Sequence, residues 1–295
     1  MPPSQSLTGI VQELRLHPLK SAGGHTVREA TVERWGLRGD RRWALVDARG
    51  RHPWLGEHPS SLGITAEAVR CEGVRLRYDG MPDLTLFPQE CGDLMAVDFP
   101  GLEHARPASA EADRWVSKAL GVELRVVHLP DAMTRVITPE HGGRPGEVTS
   151  LAWDAPLHLV TQESLDQLAA WIAETAAADG TDPGGVLPLD VARFRPNVVV
   201  AGFEPFAEDH WTHVRIGELD FRVSELCDRC AVTLYDPATL AKAKEPIRTL
   251  ARRRAWDGKT WFGIRLVPLG RGRLEVGADV VPRAAPERPG AHELA

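Results

Sequence analysis

Val223-Ser224-Glu225-Leu226-Cys227-Asp228-Arg229-Cys230-Ala231-Val232-Thr233-Leu234-Tyr235-Asp236-Pro237 sets a C-x-x-C pair between two strand-like runs and ends on a turn pair. A thioredoxin-type redox pair opens a helix, whose N-terminus lowers the thiol pKa. Here the apolar run after Cys230 reads as strand, which points to a β-rich chain. A structural zinc site needs a second half, but Cys71 and Cys91 form no close pair and no His-x-x-x-His follows. Cys230 therefore stands as a candidate metal ligand or nucleophile, with the charge of neighbouring Arg229 favouring thiolate. The plainer reading is two half-buried core thiols.

Outward from this segment the chain keeps its β character. Residues 9–16, 26–33, 42–47, 63–71 and 73–78 are short, partly alternating runs separated by Gly, Pro or Asp, as in a small antiparallel β unit. Apolar positions Ala112, Trp115, Val116 and Leu120 predict a helix over 109–120, followed by a strand over 122–129. Residues 130–146 shift to Pro, Gly, His and Thr with little periodicity, the mark of a linker or mobile loop. Beyond it come a helix over 163–175, a Gly/Pro-rich loop over 176–189, strands near 197–201 and 214–223, a helix over 246–254, and strands over 262–267 and 273–276. Close-spaced strands that outnumber the helices favour a β-barrel-like domain over a doubly wound sheet.

A chain of 295 residues, 43% apolar and 26% charged, has the composition of a soluble globular protein of one large or two ordinary domains. The net charge of −6 provides no general field for a phosphate backbone, which argues against nucleic acid. No apolar run approaches the roughly 20 residues a membrane span needs. The opening MPPSQSLTG has neither the basic start nor the apolar core of a signal peptide, and four cysteines are too few for a disulfide scaffold, so a cytoplasmic location is expected.

Several corners carry cations. His17-Pro18-Leu19-Lys20-Ser21 turns out of the first strand, and Gly36-Leu37-Arg38-Gly39-Asp40-Arg41-Arg42-Trp43 gathers positive charge ahead of another. Phe194-Arg195-Pro196-Asn197 puts an Arg and an Asn at the mouth of the apolar run Val198-Val199-Val200. A guanidinium there can grip a phosphate bidentately, and Lys, Ser and Arg at such corners suit an anionic ligand. Taken singly, each reads equally as a basic surface turn.

In order along residues 7–281, these segments resemble the MOSC superfamily, named after the C-terminal domain of molybdenum cofactor sulfurase, in its subgroup with an N-terminal β-barrel domain. The motifs are P-L-K-S (18–21), G-L-x-G-D-R-x-W (36–43), D-A-P-L-H-L-V-T-x-x-S-L (154–165), R-F-R-P-N (193–197), A-E-D-x-W (207–211), C-x-R-C (227–230) and K-E-P-x-x-T-L (244–250) before F-G. The mitochondrial amidoxime-reducing components and their bacterial counterparts are similar. The resemblance implies an α+β, β-rich fold, with an N-terminal β-barrel-like domain over 7–130, a linker or loop over 131–149, a MOSC β-barrel domain with a few helices over 150–282 and a flexible tail over 283–295.

The resemblance also implies a molybdenum–molybdopterin cofactor, with Cys230 as the metal ligand and Lys20, Ser21, Arg41, Arg195, Asn197 and Arg229 around the pterin or its phosphate. Asp154 matches the family's acidic residue ahead of an A-P or S-P strand, at a spacing one residue shorter than in some relatives, and joins Cys230 as a candidate catalytic residue. The activity implied is reductive removal of oxygen from an N-hydroxylated small molecule, with electrons from an external iron-sulfur, flavin or haem protein and no role for nucleic acid or membrane. Two alternatives stay open: a non-catalytic molybdopterin carrier, and a sulfur-transfer protein carrying a persulfide on Cys230. Trp54-Leu55-Gly56-Glu57-His58-Pro59 departs from a basic stretch common in relatives, and Arg265 falls where some carry an aromatic.

Overall fold

In the computed structural model, which describes residues 8–183 and 185–284, seven strands close on themselves. They are β1 (Gly9–Leu16), β2 (Leu157–Thr161), β3 (Val198–Ala201), β4 (Trp211–Ile216), β5 (Leu219–Asp228), β6 (Lys259–Pro268) and β7 (Asp279–Ala284). Their order is β2-β3-β1-β7-β4-β5-β6, and β6 returns to pair with β2. Closure leaves the barrel without a free edge. Inside it pack Leu14, Leu159, Val198, Val200, Val214, Phe221, Ile264 and Leu266, all sealed from solvent.

Strand β1 buries Val11, then Leu14 and Leu16, so its inward set switches from odd to even positions. A bulge between Val11 and Glu13 in the pairing with β3 inserts the extra residue that flips the pleat. Strands β2 and β3 run parallel, with Leu159 opposite Val198 and Thr161 opposite Val200. A parallel pair needs a crossover, and α2 (Gln162–Asp179) supplies it, with Thr161 as the N-cap accepting from Ser164 N and left-handed Gly180 closing the C-terminus. The outer faces of β2 and β3 are covered in turn by Leu165, Leu168 and Ile172 of α2 and by Leu250 of α3 (Ile247–Arg253). That double coverage explains why every residue of both strands is buried.

The first half contributes a four-stranded sheet (Trp43–Val46, Arg125–His128, Leu102–Pro107 and Met95–Phe99) and a three-stranded one (Thr65–Val69, Gly73–Arg77 and Leu84–Leu86). Helix α1 (Ala110–Leu120), capped by Ser109 and left-handed Gly121, lays Trp115 and Val116 into a core with Trp43, Ile64, Val74 and Val126. The halves interlock: β1 belongs to the barrel, and Glu29–Glu33 pairs with Gly272–Glu275.

Two local expectations are corrected. The single strand expected over 214–223 is two, because Gly217-Glu218 turns a tight hairpin with Ile216 opposite Leu219 and Gly217 at φ +57°. The run after Cys230 is a 3-10 turn (Ala231–Leu234), not a strand. Thr233 gives both its N–H (3.3 Å) and its hydroxyl (3.2 Å) to the Cys230 carbonyl, and these local bonds displace a ladder. Residues 131–149 form a loop anchored by a Val136–Val148 bridge and by Arg135, which donates to the carbonyls of Pro100, Ser150 and Ala152 at 2.9, 2.6 and 2.5 Å. Of the tail expected over 283–295, residues 285–295 lie outside the described residues.

Glu208 is sealed beneath the first turn of α2, accepting from Ser164 Oγ at 2.9 Å and Thr161 Oγ1 at 3.1 Å. Burial, and secondarily the charge of Asp209, push its carboxyl up from 4.5 to about 7. The folded state therefore holds a proton that the unfolded chain releases above pH 4.5, so this contribution is complete below 4.5 and lost as pH rises to about 7. The gap is worth about 3 kcal/mol at roughly 1.4 kcal/mol per pH unit. Urea denaturation from pH 4.5 to 8 should show Glu208→Gln gaining about that much on the wild type. A difference that does not vary with pH would refute this account.

Candidate functional site

The first strand ends at Leu16, and the chain turns through His17, Lys20 and Ser21 against the corner at Arg41 and the 3-10 turn Val191–Phe194 that leads into Arg195. Nine non-glycine residues have positive φ among those described, and four are Ser21 (+68°), Arg41 (+48°), Asp154 (+64°) and Arg195 (+55°). All four were singled out from sequence as candidate site residues. Strained corners such as these are held by the surrounding structure, as happens at binding and catalytic sites.

Arg41 is the joint. Its guanidinium pairs with Asp40 and donates to Asn197 Oδ1 and to the Arg195 carbonyl, both at 3.0 Å. Asn197 is fully buried, and its Oδ1 also accepts from His158 N at 3.2 Å while its Nδ2 donates to the Arg15 carbonyl at 3.2 Å. Its amide is thereby committed to aligning Arg41 with β1 and β2. Ser21 Oγ lies 3.4 Å from His52 Nε2. Burial and the charge of Lys20 hold that histidine down at about 3.

Several cations here lack a carboxylate partner. Lys20, Arg195, Arg229 and Arg135 make no ion pair among the described residues. Lys20 donates to the Leu151 carbonyl at 2.7 Å, Arg195 to the Ala22 carbonyl and Arg229 to the Phe194 carbonyl at 2.9 Å. Burial, joined by Arg135 and Arg41, holds the Lys20 ammonium well below its usual range. Burial and Arg41 bring Arg195 down to about 9. His17, beside Arg195 and Arg41, is likewise held well below its usual range, chiefly by burial. Its Nδ1 and the Nε of Arg229 are sealed without a hydrogen-bond partner. Buried, unpaired charges are costly, and an anion placed among them would relieve them.

The cysteines divide differently from the expectation that Arg229 serves Cys230. Arg229 Nη1 donates to Cys227 Sγ at 3.0 Å, while Cys230 is exposed at the start of its 3-10 turn. The reason is the strand pleat: Cys227 faces inward from β5 towards His158 of β2, whereas Cys230 lies past the strand end. Burial alone would raise the Cys227 thiol, but His158, Arg229 and Arg265 outweigh it and hold it well below its usual range. His158 itself is lowered by burial against the pull of that sulfur. Arg229 also lies over the Phe194 ring, 5.3 Å from its centre, and so ties the cysteine segment to the Arg195 corner.

Asp154 lies on the other side. Its Oδ2 is 3.2 Å from Arg265 Nη1, and its Oδ1 is 3.3 Å from His141 Nε2. Burial raises its carboxyl against the pull of Arg265 and His141. Arg265 also bonds Glu225 and, at 2.5 Å, Asp228, so one guanidinium holds three acids. Despite burial, Cys227 and these carboxylates raise Arg265 above its usual value. The structure thus brings Lys20, Arg41, Arg195, Asn197 and Arg229 into one connected set, with Asp154 facing it and Cys230 at its edge. Sequence reasoning passed over His141, His158, Arg135 and His17. His158 sits inside the D-A-P-L-H-L-V-T run, but its relation to Cys227 exists only once β2, β6 and β5 are adjacent.

Two family models and several curated proteins match this chain. A model of the MOSC domain matches residues 139–281, and one of the MOSC N-terminal beta barrel domain matches residues 8–123. Mitochondrial amidoxime-reducing component 1 of Danio rerio is 30% identical over 268 residues, covering 85% of this chain and 76% of that protein. The chain belongs to the MOSC family. Its β-rich fold is that of a MOSC N-terminal barrel domain joined to a MOSC domain. The human mitochondrial amidoxime-reducing component 1 is 28% identical over 92% of this chain and 82% of its own length. Molybdenum cofactor sulfurase of Danio rerio is 28% identical over 92% of this chain, which spans only 34% of that longer protein. These MOSC relatives tie the chain to molybdenum-cofactor biochemistry.

The burial pattern gives a direct test. In the native, cofactor-free chain, brief treatment with iodoacetamide should label Cys71, Cys91 and Cys230, with Cys227 reacting only after unfolding. Peptide mass spectrometry reads this out, and native labelling of Cys227 at the rate of Cys230 would contradict its burial.

Proposed function

We propose that this chain binds a molybdenum–molybdopterin cofactor and reduces N-hydroxylated small molecules, taking electrons from an external iron-sulfur, flavin or haem protein in the cytoplasm. The observation that carries this reading is the set of buried and half-buried cations without carboxylate partners, Lys20, Arg195 and Arg229, beside an exposed thiol. A phosphorylated pterin fits it, because its phosphate supplies the missing charge and its metal needs one soft protein ligand. Among the described residues no group of three or more His, Cys, Asp and Glu side chains could hold a metal ion by itself, so a metal here would bring ligands of its own.

Cys230 is the thiolate ligand in this reading, and its exposure leaves it open to an incoming metal. Arg195, Arg229 and Lys20 hold the phosphate and pterin, Ser21 lines the same corner, and Asn197 sets the angle of Arg41. When bound, the group supplies two-electron oxygen-atom chemistry at a single metal. The protein holds the site in the dry wall of the barrel, where each charge acts at low dielectric. Asp154 faces the substrate side, with burial favouring the protonated form that can hydrogen-bond a departing oxygen. The relatives named for amidoxime reduction match most of their length, which supports this reading over the sulfurase, matched over a third of its own.

Chain purified from a cofactor-competent host should contain molybdenum and pterin in near-equal amounts and turn over an N-hydroxylated amidine with a reducing partner. Metal with no turnover would favour a carrier, and a persulfide on metal-free Cys230 a sulfur relay. Arg195→Lys keeps the charge but loses the guanidinium's paired bonds. With charge-assisted hydrogen bonds worth roughly 1.5–3 kcal/mol each, cofactor affinity should fall about tenfold or more. Molybdenum content should then drop further than turnover per bound metal. Full occupancy with a collapsed rate would assign Arg195 to the substrate.

A further inference from the structure

The anchored loop of residues 131–149 and the segment after it enclose a cavity of about 190 Å³, walled in part by Pro100, Arg135, Ile137, Trp153 and Asp154. That is room for one substituted ring, since a cavity of roughly 150 Å³ accepts benzene. Pro100 and Ile137 give it an apolar side, and the Trp153 indole, 56% exposed, offers a flat surface for a ring to lie on. The cavity adjoins the cation cluster, because Lys20 Nζ lies 5.2 Å from the centre of the Trp153 ring.

Arg135 gives this cavity its charge. Only 3% of the residue reaches solvent, yet no carboxylate bonds it. Nε donates to the Pro100 carbonyl and Nη1 to those of Ser150 and Ala152, which fixes the guanidinium in place. Nη2 makes no hydrogen bond among the described residues and is not sealed in protein, so its N–H groups open on the cavity that Arg135 walls. Asp154, on the same wall, lies 3.2 Å from Arg265 and 3.3 Å from His141 and makes no ion pair with Arg135. Glu140 also lines the cavity, but it is exposed and its charge is screened by water. Burial, against the pull of Asp154, brings Arg135 down to about 10, which still leaves it charged at neutral pH. A fixed cation with unused donors on an apolar cavity favours an anion that can accept from it.

We propose that Arg135 recognises substrate, and that this cavity takes the carboxylate end of N-hydroxylated aromatic acids. The proposal rests on the reductase reading above for its chemistry and on Arg135 for its selectivity. The ring lies on Trp153, the carboxylate accepts from Arg135 Nη2, and the N-hydroxylated end is left on the side of the cation cluster. One free amino group suits a singly charged carboxylate. The doubly charged pterin phosphate is matched by the several cations at the Arg195 corner.

Two measurements test this. With molybdenum-loaded enzyme and a reducing partner, the better of 3- and 4-carboxybenzamidoxime should show a KM about tenfold below that of benzamidoxime, as one charge-assisted hydrogen bond provides. Arg135→Gln should bring these KM values together. The second measurement needs neither turnover nor a variant. In the cofactor-free wild-type chain, benzoate should shift the ¹⁵N resonances of the Arg135 guanidinium and bind there about tenfold more tightly than benzamide. Equal KM values in the wild type, or a benzoate titration that leaves Arg135 unmoved, overturns the subsite and leaves the reductase reading intact. Loss of molybdenum from Arg135→Gln to the extent seen in Arg195→Lys would assign Arg135 to the cofactor and overturn the subsite as well. Benzoate binding at Arg135 in a protein without molybdenum or turnover overturns the reductase reading and keeps the anion subsite.

Discussion

A local excess of positive charge governs the rest of this structure. Lys20 and Arg195 reach carbonyl oxygens across the two halves, Leu151 and Ala22, and Arg229 reaches the Phe194 carbonyl and the Cys227 sulfur, where a stable core would provide carboxylates. Carbonyls hold a cationic head in position without neutralising it. The left-handed corners at Ser21, Arg41 and Arg195 help bring the chain to these contacts. A protein selected for stability alone would have no use for such an imbalance, because each unpaired cation opposes folding.

Opposite these cations the balance reverses. Arg265 is surrounded by Asp154, Glu225 and Asp228, and His141 completes the acidic side. The two sides meet at the cysteine segment: Arg229 reaches the basic corner through the Phe194 carbonyl, and Asp228 reaches the acidic one through Arg265. One short stretch between β5 and its 3-10 turn thus joins a region rich in cations to one rich in carboxylates. Cys227 secures that alignment by accepting from Arg229.

Much of this was legible in the sequence, for identifiable reasons. Strand β1 was readable because its turns and apolar positions are local, and α1 because Ala112, Trp115, Val116 and Leu120 recur at helical spacing. The bulge at Val11–Glu13 was not, since the register switch is set by β3, nearly 190 positions away. Val232 and Leu234 carry strand propensity, yet the Thr233 bonds to the Cys230 carbonyl decide the local geometry. The corners bearing Lys20, Arg41 and Arg195 were marked by motif order, but which sulfur Arg229 binds depends on the strand pleat. His141 was lost for a different reason: its segment has no periodicity, and its chemistry comes from β5 and the Asp154 corner folding against it.

The placement of β1 in the barrel has a consequence for how the molecule is made. Its barrel partners are β3 at residues 198–201 and β7 at 279–284, so the edge it offers them stays open until those strands are made, while Leu14–Leu16 can pair early with His25–Val27. Until then Val11, Leu14 and Leu16 lack the barrel core they pack into, while the sheet around Trp43 and α1 can already assemble. Any stop codon upstream of β7 would leave β1 in that state permanently, so premature termination should yield insoluble chains, with no partly working enzyme among the products.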